Sequence, residues 1–98
     1  MHRTDIIDSL RNLRPKLAGE GVAHLAMFGS RARGDANVSS DLDLLLEVDP
    51  EVRFSLLNLI GVEHIISQET GLAANAFMRR SLDETFRRSI EDDIVDVF

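Results

Sequence analysis

The chain has 98 residues, a net charge of −6, 44% hydrophobic and 29% charged residues, and no cysteine. That length supports one domain, spanning 1–98, with a single core. It carries neither a disulfide framework nor a thiolate metal site. The acidic balance excludes sequence-independent nucleic-acid binding, which needs basic surface to displace counterions, and suits a basic protein partner instead. No apolar run approaches a membrane span, and Met1-His2-Arg3-Thr4-Asp5 is not followed by a signal-peptide core, so no membrane association and a cytoplasmic location are expected.

Residues 4–13 read as a helix. Thr4 is the expected N-cap, Asp5 and Asp8 lie in the first turn, and Ile6, Ile7, Leu10 and Leu13 make one apolar stripe. Pro15 breaks it and opens a short second segment ending near Gly19-Glu20-Gly21. Arg11, Arg14 and Lys16 read as a solvated face. Val22–Phe28 is apolar on both faces except at His24, the pattern of a central strand with cover on each side. A histidine metal site is not expected, because His2 and His64 are far from His24 in sequence and unpaired.

The next twenty residues, GSRARGDANVSSDLDLLLEV, hold the chemistry. Gly29-Ser30 directly follows the first strand, and the spacing predicts a turn and a short helical segment to Gly34. A glycine there lets backbone approach a ligand closely, and the unpaired N–H groups beyond it suit phosphate. The segment is not a P-loop, since Gly34 is followed by Asp35 rather than Lys-Ser/Thr. Alone, Gly-Ser is an ordinary turn with a serine cap. Residues 35–40 form a loop rich in turn formers, and Asp41–Val48 reads as the second strand. Alternation puts Leu42, Leu44, Leu46 and Val48 on one face and Asp41, Asp43, Leu45 and Glu47 on the other. The two aspartates lie roughly 6–7 Å apart along the backbone, a spacing suited to a hard divalent cation such as Mg²⁺. Glu47 lies roughly 13 Å beyond Asp43, too far to share that cation. An unpaired carboxylate amid leucines is costly to bury, which singles out Asp43. Together the Gly29-Ser30 turn and the aspartate pair describe a site for a metal-chelated nucleoside triphosphate, with Arg31 and Arg33 either adding charge or simply exposed.

Asp49-Pro50-Glu51 turns the chain into a long helix over about 54–69, expected to point Phe54, Leu57, Ile60 and Ile65 at the sheet. Gly71 is its stop, and 73–78 reads as a third strand. Ser81-Leu82-Asp83-Glu84 has capping-box spacing and opens a last helix to about Glu91. The apolar tail, Ile94 to Phe98, either packs back on the domain or marks a partner surface.

The pattern Gly-Ser, ten residues, Asp-x-Asp resembles the signature of the nucleotidyltransferase superfamily that includes DNA polymerase beta. The fuller string GSRARGDANVSSDLDLLLE resembles its minimal members, the MNT-type antitoxins paired with HEPN toxins, and the likeness extends from the first helix through RFSLLNL to the tail. The resemblance implies an α/β domain, a small mixed sheet flanked by helices, with the site at one end of strands one and two. It implies Mg²⁺-dependent transfer of a nucleotide, AMP from ATP, to a tyrosine of a HEPN toxin, with Asp41 and Asp43 as metal-binding catalytic residues and Gly29, Ser30 and Arg31 on the phosphates. Relatives carry a third acid on the third strand. Aligning GLAANAFMRR with that strand puts Asn75 in its place, a residue that can ligate through its carbonyl but cannot accept a proton as a carboxylate does. A degenerate antitoxin that acts by binding alone, or a plain nucleotide-binding module, is the alternative.

Overall fold

A computed structural model describes residues 2–98. Two short helices come first, α1 (Arg3–Asn12) and α2 (Arg14–Gly19), then β1 (Val22–Phe28), α3 (Gly29–Arg33) and β2 (Leu42–Val48). The longest helix, α4 (Leu56–Thr70), leads to β3 (Ala74–Met78), and α5 (Glu84–Ile90) precedes a two-residue strand, β4 (Val95–Asp96). The strands form one sheet in the order β3-β2-β1-β4. β1 runs antiparallel to both β2 and β4, whereas β2 and β3 are parallel. The sheet is therefore mixed, as expected, and β1 and β2 are its central strands.

Each face of the sheet has its own cover. Leu25, Met27, Leu42, Leu44 and Leu46 pack with Ile6, Leu10, Leu17, Val62 and Ile66, so α1, α2 and α4 share one side. On the other, Ala26, Phe28, Leu45 and Ile90 form a smaller core with Leu82, Phe86 and Ile94 packed against it. Phe28, Phe77 and Phe86 meet there with ring centroids 5.7–5.9 Å apart. The unbroken apolar run of β1 is explained by this two-sided burial.

The two sides of the sheet end differently. The apolar tail packs back on the domain: Val97 N–H donates to Leu25 O at 2.9 Å, Leu25 N–H donates to Phe98 O at 3.0 Å, and Val97 is buried. At the opposite edge, the outward N–H groups of Ala74 and Ala76 donate to Ser67 Oγ at 3.2 Å and Glu63 Oε2 at 2.8 Å. Ser67 and Glu63 stand four residues apart on one face of α4, so the helix supplies side-chain acceptors where a fifth strand would otherwise supply carbonyls.

Several local expectations need correction. The first helix begins one residue before Thr4, with His2 at its N-cap. Arg11 and Arg14 are not purely solvated: Arg11 Nε donates to Val97 O at 3.0 Å and the Arg14 guanidinium lies 5.2 Å from the centre of the Phe98 ring. These two contacts pin the tail to α1 and α2. The N-cap of α5 is Asp83, whose carboxylate accepts from Phe86 N–H at 2.7 Å, because a 3-10 turn takes up Arg79–Ser81. The largest error concerns α4. Leu57 and Ile60 point outward, 80% and 51% exposed, and Leu56 joins them at 70%. The buried stripe is Val62, Ile66 and Thr70, with Leu59 and Ile65 beside it. Leucine and isoleucine surround the first half of this helix, so periodicity alone does not fix which way it turns.

This phase is directly measurable. Ile66→Ala removes a fully buried side chain and should lower unfolding free energy by about 2–5 kcal/mol. Leu57→Ala should change it by no more than about 0.5 kcal/mol. Urea denaturation of the two variants distinguishes this packing from the reverse orientation of the helix, which predicts the opposite order.

Candidate active site

The site lies where β1 ends and β2 begins. Antiparallel pairing sets Phe28 opposite Asp43, which brings the Gly29 turn beside the Asp43 side chain. Gly29 has φ +76°, and a Cβ there would sit 2.6 Å from Asp43 Oδ2. Two independent constraints therefore demand glycine: the left-handed backbone conformation and the carboxylate pressed against it. Immediately beyond it, the first turn of α3 leaves N–H groups without intrahelical acceptors. Ser30 is half-buried. Its hydroxyl has no hydrogen-bond partner among the described residues.

β2 proper starts at Leu42, so Asp41 is exposed just before the strand and Asp43 is half-buried within it. Parallel pairing sets Asn75 opposite Asp43. The Asn75 amide Nδ2 donates to Asp41 Oδ2 at 3.0 Å and to Asp43 Oδ1 at 3.3 Å. The amide orientation follows from the partners, since the amide nitrogen donates and the carboxylate oxygens accept. Asn75 thus joins the pair as a neutral bridge, and no strand-register shift separates it from Asp43. Glu63 and Ser67 hold the strand on either side of it.

Arg31 occupies a different place from the one its charge suggests. It is 7% exposed, and its Nε and Nη2 donate to Ser40 O at 3.2 and 2.9 Å. It therefore braces the loop that delivers Asp41. Asn37 orders the same loop: its Oδ1 accepts from Ser39 N–H and Oγ at 2.9 and 2.7 Å, and its own N–H donates to Ser40 Oγ at 3.0 Å. An asparagine two residues before a serine pair is a recognisable turn signal, but nothing in the sequence joins Arg31 to Ser40. The Arg33 guanidinium is engaged with Asp35 first and Asp93 second, at 3.0 and 2.8 Å, and both partners raise its pKa further. It ties α3 to the segment before the tail. His24 is exposed and pairs in register with Glu47, also exposed, at the opposite end of β1 from Gly29.

The donor set is consistent with a hard divalent cation. Two carboxylates share one face, and the missing Cβ at Gly29 lets the Asp43 carboxylate lie against the backbone turn. Among the described residues no group of three or more acids, histidines or cysteines gathers. A cation here would take its remaining oxygens from a bound phosphate, the arrangement typical of Mg²⁺ at phosphoryl-transfer sites.

Comparison with known proteins bears on family and fold. Residues 6–97 match the family described as nucleotidyltransferase domain. The chain is similar to protein adenylyltransferase MntA of Thermococcus cleftensis, with 35% identity over 75 residues covering 76% of this chain and 74% of the relative. It is also similar, at 32% identity and the same coverage, to a provisionally named protein adenylyltransferase of Methanocaldococcus jannaschii. Among solved structures, a provisionally assigned minimal nucleotidyltransferase superposes with TM-score 0.71 and 25% identity, covering 97% of this chain and 95% of that one. The fold is shared with the MNT antitoxin complex of a tri-AMPylated HEPN toxin from Shewanella oneidensis, at TM-score 0.63 and 11% identity, covering 90% of this chain and 68% of that one. A toxin–antitoxin structure with AMP-PNP likewise shares the fold, at TM-score 0.71 and 13% identity, covering 90% of this chain and 72% of that one.

The close approach of Gly29 to Asp43 predicts non-additive mutations. Gly29→Ala should destabilise by about 1–2 kcal/mol from its backbone conformation alone, and further through the contact with Oδ2. In an Asp43→Ala background the contact is gone. The double mutant should then be destabilised by less than the sum of the single changes, measured by urea denaturation. Simple additivity would mean that the two residues do not touch.

Proposed function

The chain belongs to the nucleotidyltransferase domain family, and from that premise we propose that it transfers AMP from ATP to a tyrosine hydroxyl of a HEPN-type toxin, acting as that toxin's antitoxin in the cytoplasm. The observation that carries the proposal is the juxtaposition of Asp41 and Asp43 with the Gly29-Ser30 turn. The nature of the acceptor is supported by the named activity of the similar proteins and by the AMPylated toxin in one complex of the same fold.

In this reading Asp41 and Asp43 would hold Mg²⁺, and Ser30 with the N–H groups at the start of α3 would hold the outer phosphates. The cation, when bound, would neutralise phosphate charge and polarise the α-phosphate. Arg31 keeps the Asp41 loop in place from behind. The acceptor oxygen forms a bond to the α-phosphorus, the bond from that phosphorus to the bridging oxygen breaks, and pyrophosphate leaves. In-line displacement of this kind depends chiefly on positioning. The hydroxyl proton must go to solvent or to an aspartate, because Asn75 cannot take it.

Asn75 also motivates a second reading, neutralisation by binding alone. Its amide satisfies both aspartates, and to ligate a cation it would have to turn its carbonyl oxygen towards the site. Both readings are tested by incubating the chain with α-labelled ATP, Mg²⁺ and a HEPN-type toxin. Wild type should label that protein slowly. General-base assistance is typically worth about 10²–10⁴-fold, so Asn75→Asp should raise labelling by about tenfold or more. Without divalent cation the same variant should melt at a lower temperature than wild type, because three carboxylates then face one another. Labelling that falls in Asn75→Asp would refute the role given to Asn75. Neutralisation without labelling by either form would establish the second reading.

A further inference from the structure

Away from the aspartates, the same sheet face carries a cavity of about 410 Å³, within the usual range for small-ligand sites. It adjoins the far half of β2, with Glu47 roughly 13 Å along the strand from Asp43. Leu45 and Ile90, both buried, and the half-buried Met78 and Leu82 supply its apolar wall. Arg79, Arg80 and Arg87 also line it, and Glu47 is the one carboxylate among them.

Two features set this cavity apart from an ordinary surface hollow. The first is charge. The chain as a whole is acidic, yet four of its eleven basic residues fall between positions 79 and 88. Arg88 pairs with Glu84 at 3.0 Å, whereas among the described residues Arg79, Arg80 and Arg87 have no ion-pair partner. Three cationic groups thus face one anion around an apolar wall. The second is an unmet hydrogen bond. Arg79 Nε is buried and has no acceptor. Buried donors are almost always satisfied, so this one is met by an acceptor from outside the chain, a water or a bound group.

We infer that this cavity binds an organic anion: a phosphate or carboxylate group carried on an apolar body of small-molecule size. The guanidinium groups are suited to the planar or tetrahedral oxyanion, and Leu45, Met78, Leu82 and Ile90 to the body. Neither Asp41 nor Asp43 takes part, so the inference is independent of the transfer reaction.

The experiment uses the whole chain in EDTA, which silences any cation-dependent nucleotide site. Phenyl phosphate, phenylacetate and inorganic phosphate are titrated separately while the arginine Nε–H and backbone amide resonances are followed by NMR. Either aryl anion should saturably shift Arg79 Nε–H together with the amides of Leu82 and Ile90; which one binds more tightly identifies the oxyanion. Inorganic phosphate, lacking the apolar body, should bind about tenfold more weakly or worse. Arg87→Gln, at an exposed position, should weaken the aryl anion by about tenfold with no change in melting temperature. Arg79→Gln should do the same and serves as a second variant. Equal affinity for inorganic phosphate would reduce the arginines to surface counter-ion sites. Shifts confined to residues 29–31, binding that survives both substitutions, or no saturable shift would each overturn the inference.

Discussion

The candidate site depends on one close approach, the Gly29 turn against the carboxylate of Asp43. A strand that ends in glycine can turn with positive φ, and the antiparallel partner strand can then place a charged side chain where a Cβ would otherwise stand. Everything else supports that contact. The apolar residues of β1 and β2 bury both faces of the sheet and fix the register, and a slip of one residue would carry Asp43 to the opposite face. Arg31 and Asn37 shape the loop between the two halves, so that Asp41 arrives on the same side as Asp43. Buried apolar area thus supplies the stability, and a few polar contacts convert it into precise placement.

Asn75 shows how a single atom changes the character of such a site. With its amide nitrogen between two carboxylates, it relieves their mutual repulsion without any cation. An aspartate in the same position would place a third carboxylate beside the pair. The neutral bridge therefore holds the two aspartates together without adding charge. Its strand is held at the sheet edge by Glu63 and Ser67 of α4, which ties the geometry of the site to the placement of that helix.

Much of this was legible in the sequence because strong local signals coincide with the elements that matter. The apolar runs Val22–Phe28 and Leu44–Leu46, the glycine after the first, and alternation through Asp41 and Asp43 identified the two central strands. They also placed the aspartates on one face. Asn75 aligned where the parallel pairing puts it. Other features were hidden for physical reasons. The outward turn of Leu56, Leu57 and Ile60 was illegible because apolar residues surround that half of α4. Asp83, rather than Ser81, caps α5 because a 3-10 turn intervenes, which residue spacing does not reveal. Arg31 reads as a phosphate ligand by charge, yet it is buried against a backbone carbonyl, and such a contact leaves no mark on sequence pattern. The two-residue pairing of the tail with β1 is likewise too short to produce a periodic signal.

The central claim is that Asp41 and Asp43, pressed against Gly29, hold a cation-bound triphosphate. It is tested most directly by calorimetry with a non-hydrolysable ATP analogue, comparing wild type with Asp43→Asn in the presence of Mg²⁺ and of EDTA. The substitution is nearly isosteric, keeps the strand register and removes only the charge. Wild type should bind the analogue with Mg²⁺ and lose at least about tenfold in affinity in EDTA, a difference of about 1.4 kcal/mol. Asp43→Asn should bind weakly in both conditions. Equal binding by the two proteins, or binding indifferent to the cation, would contradict the account.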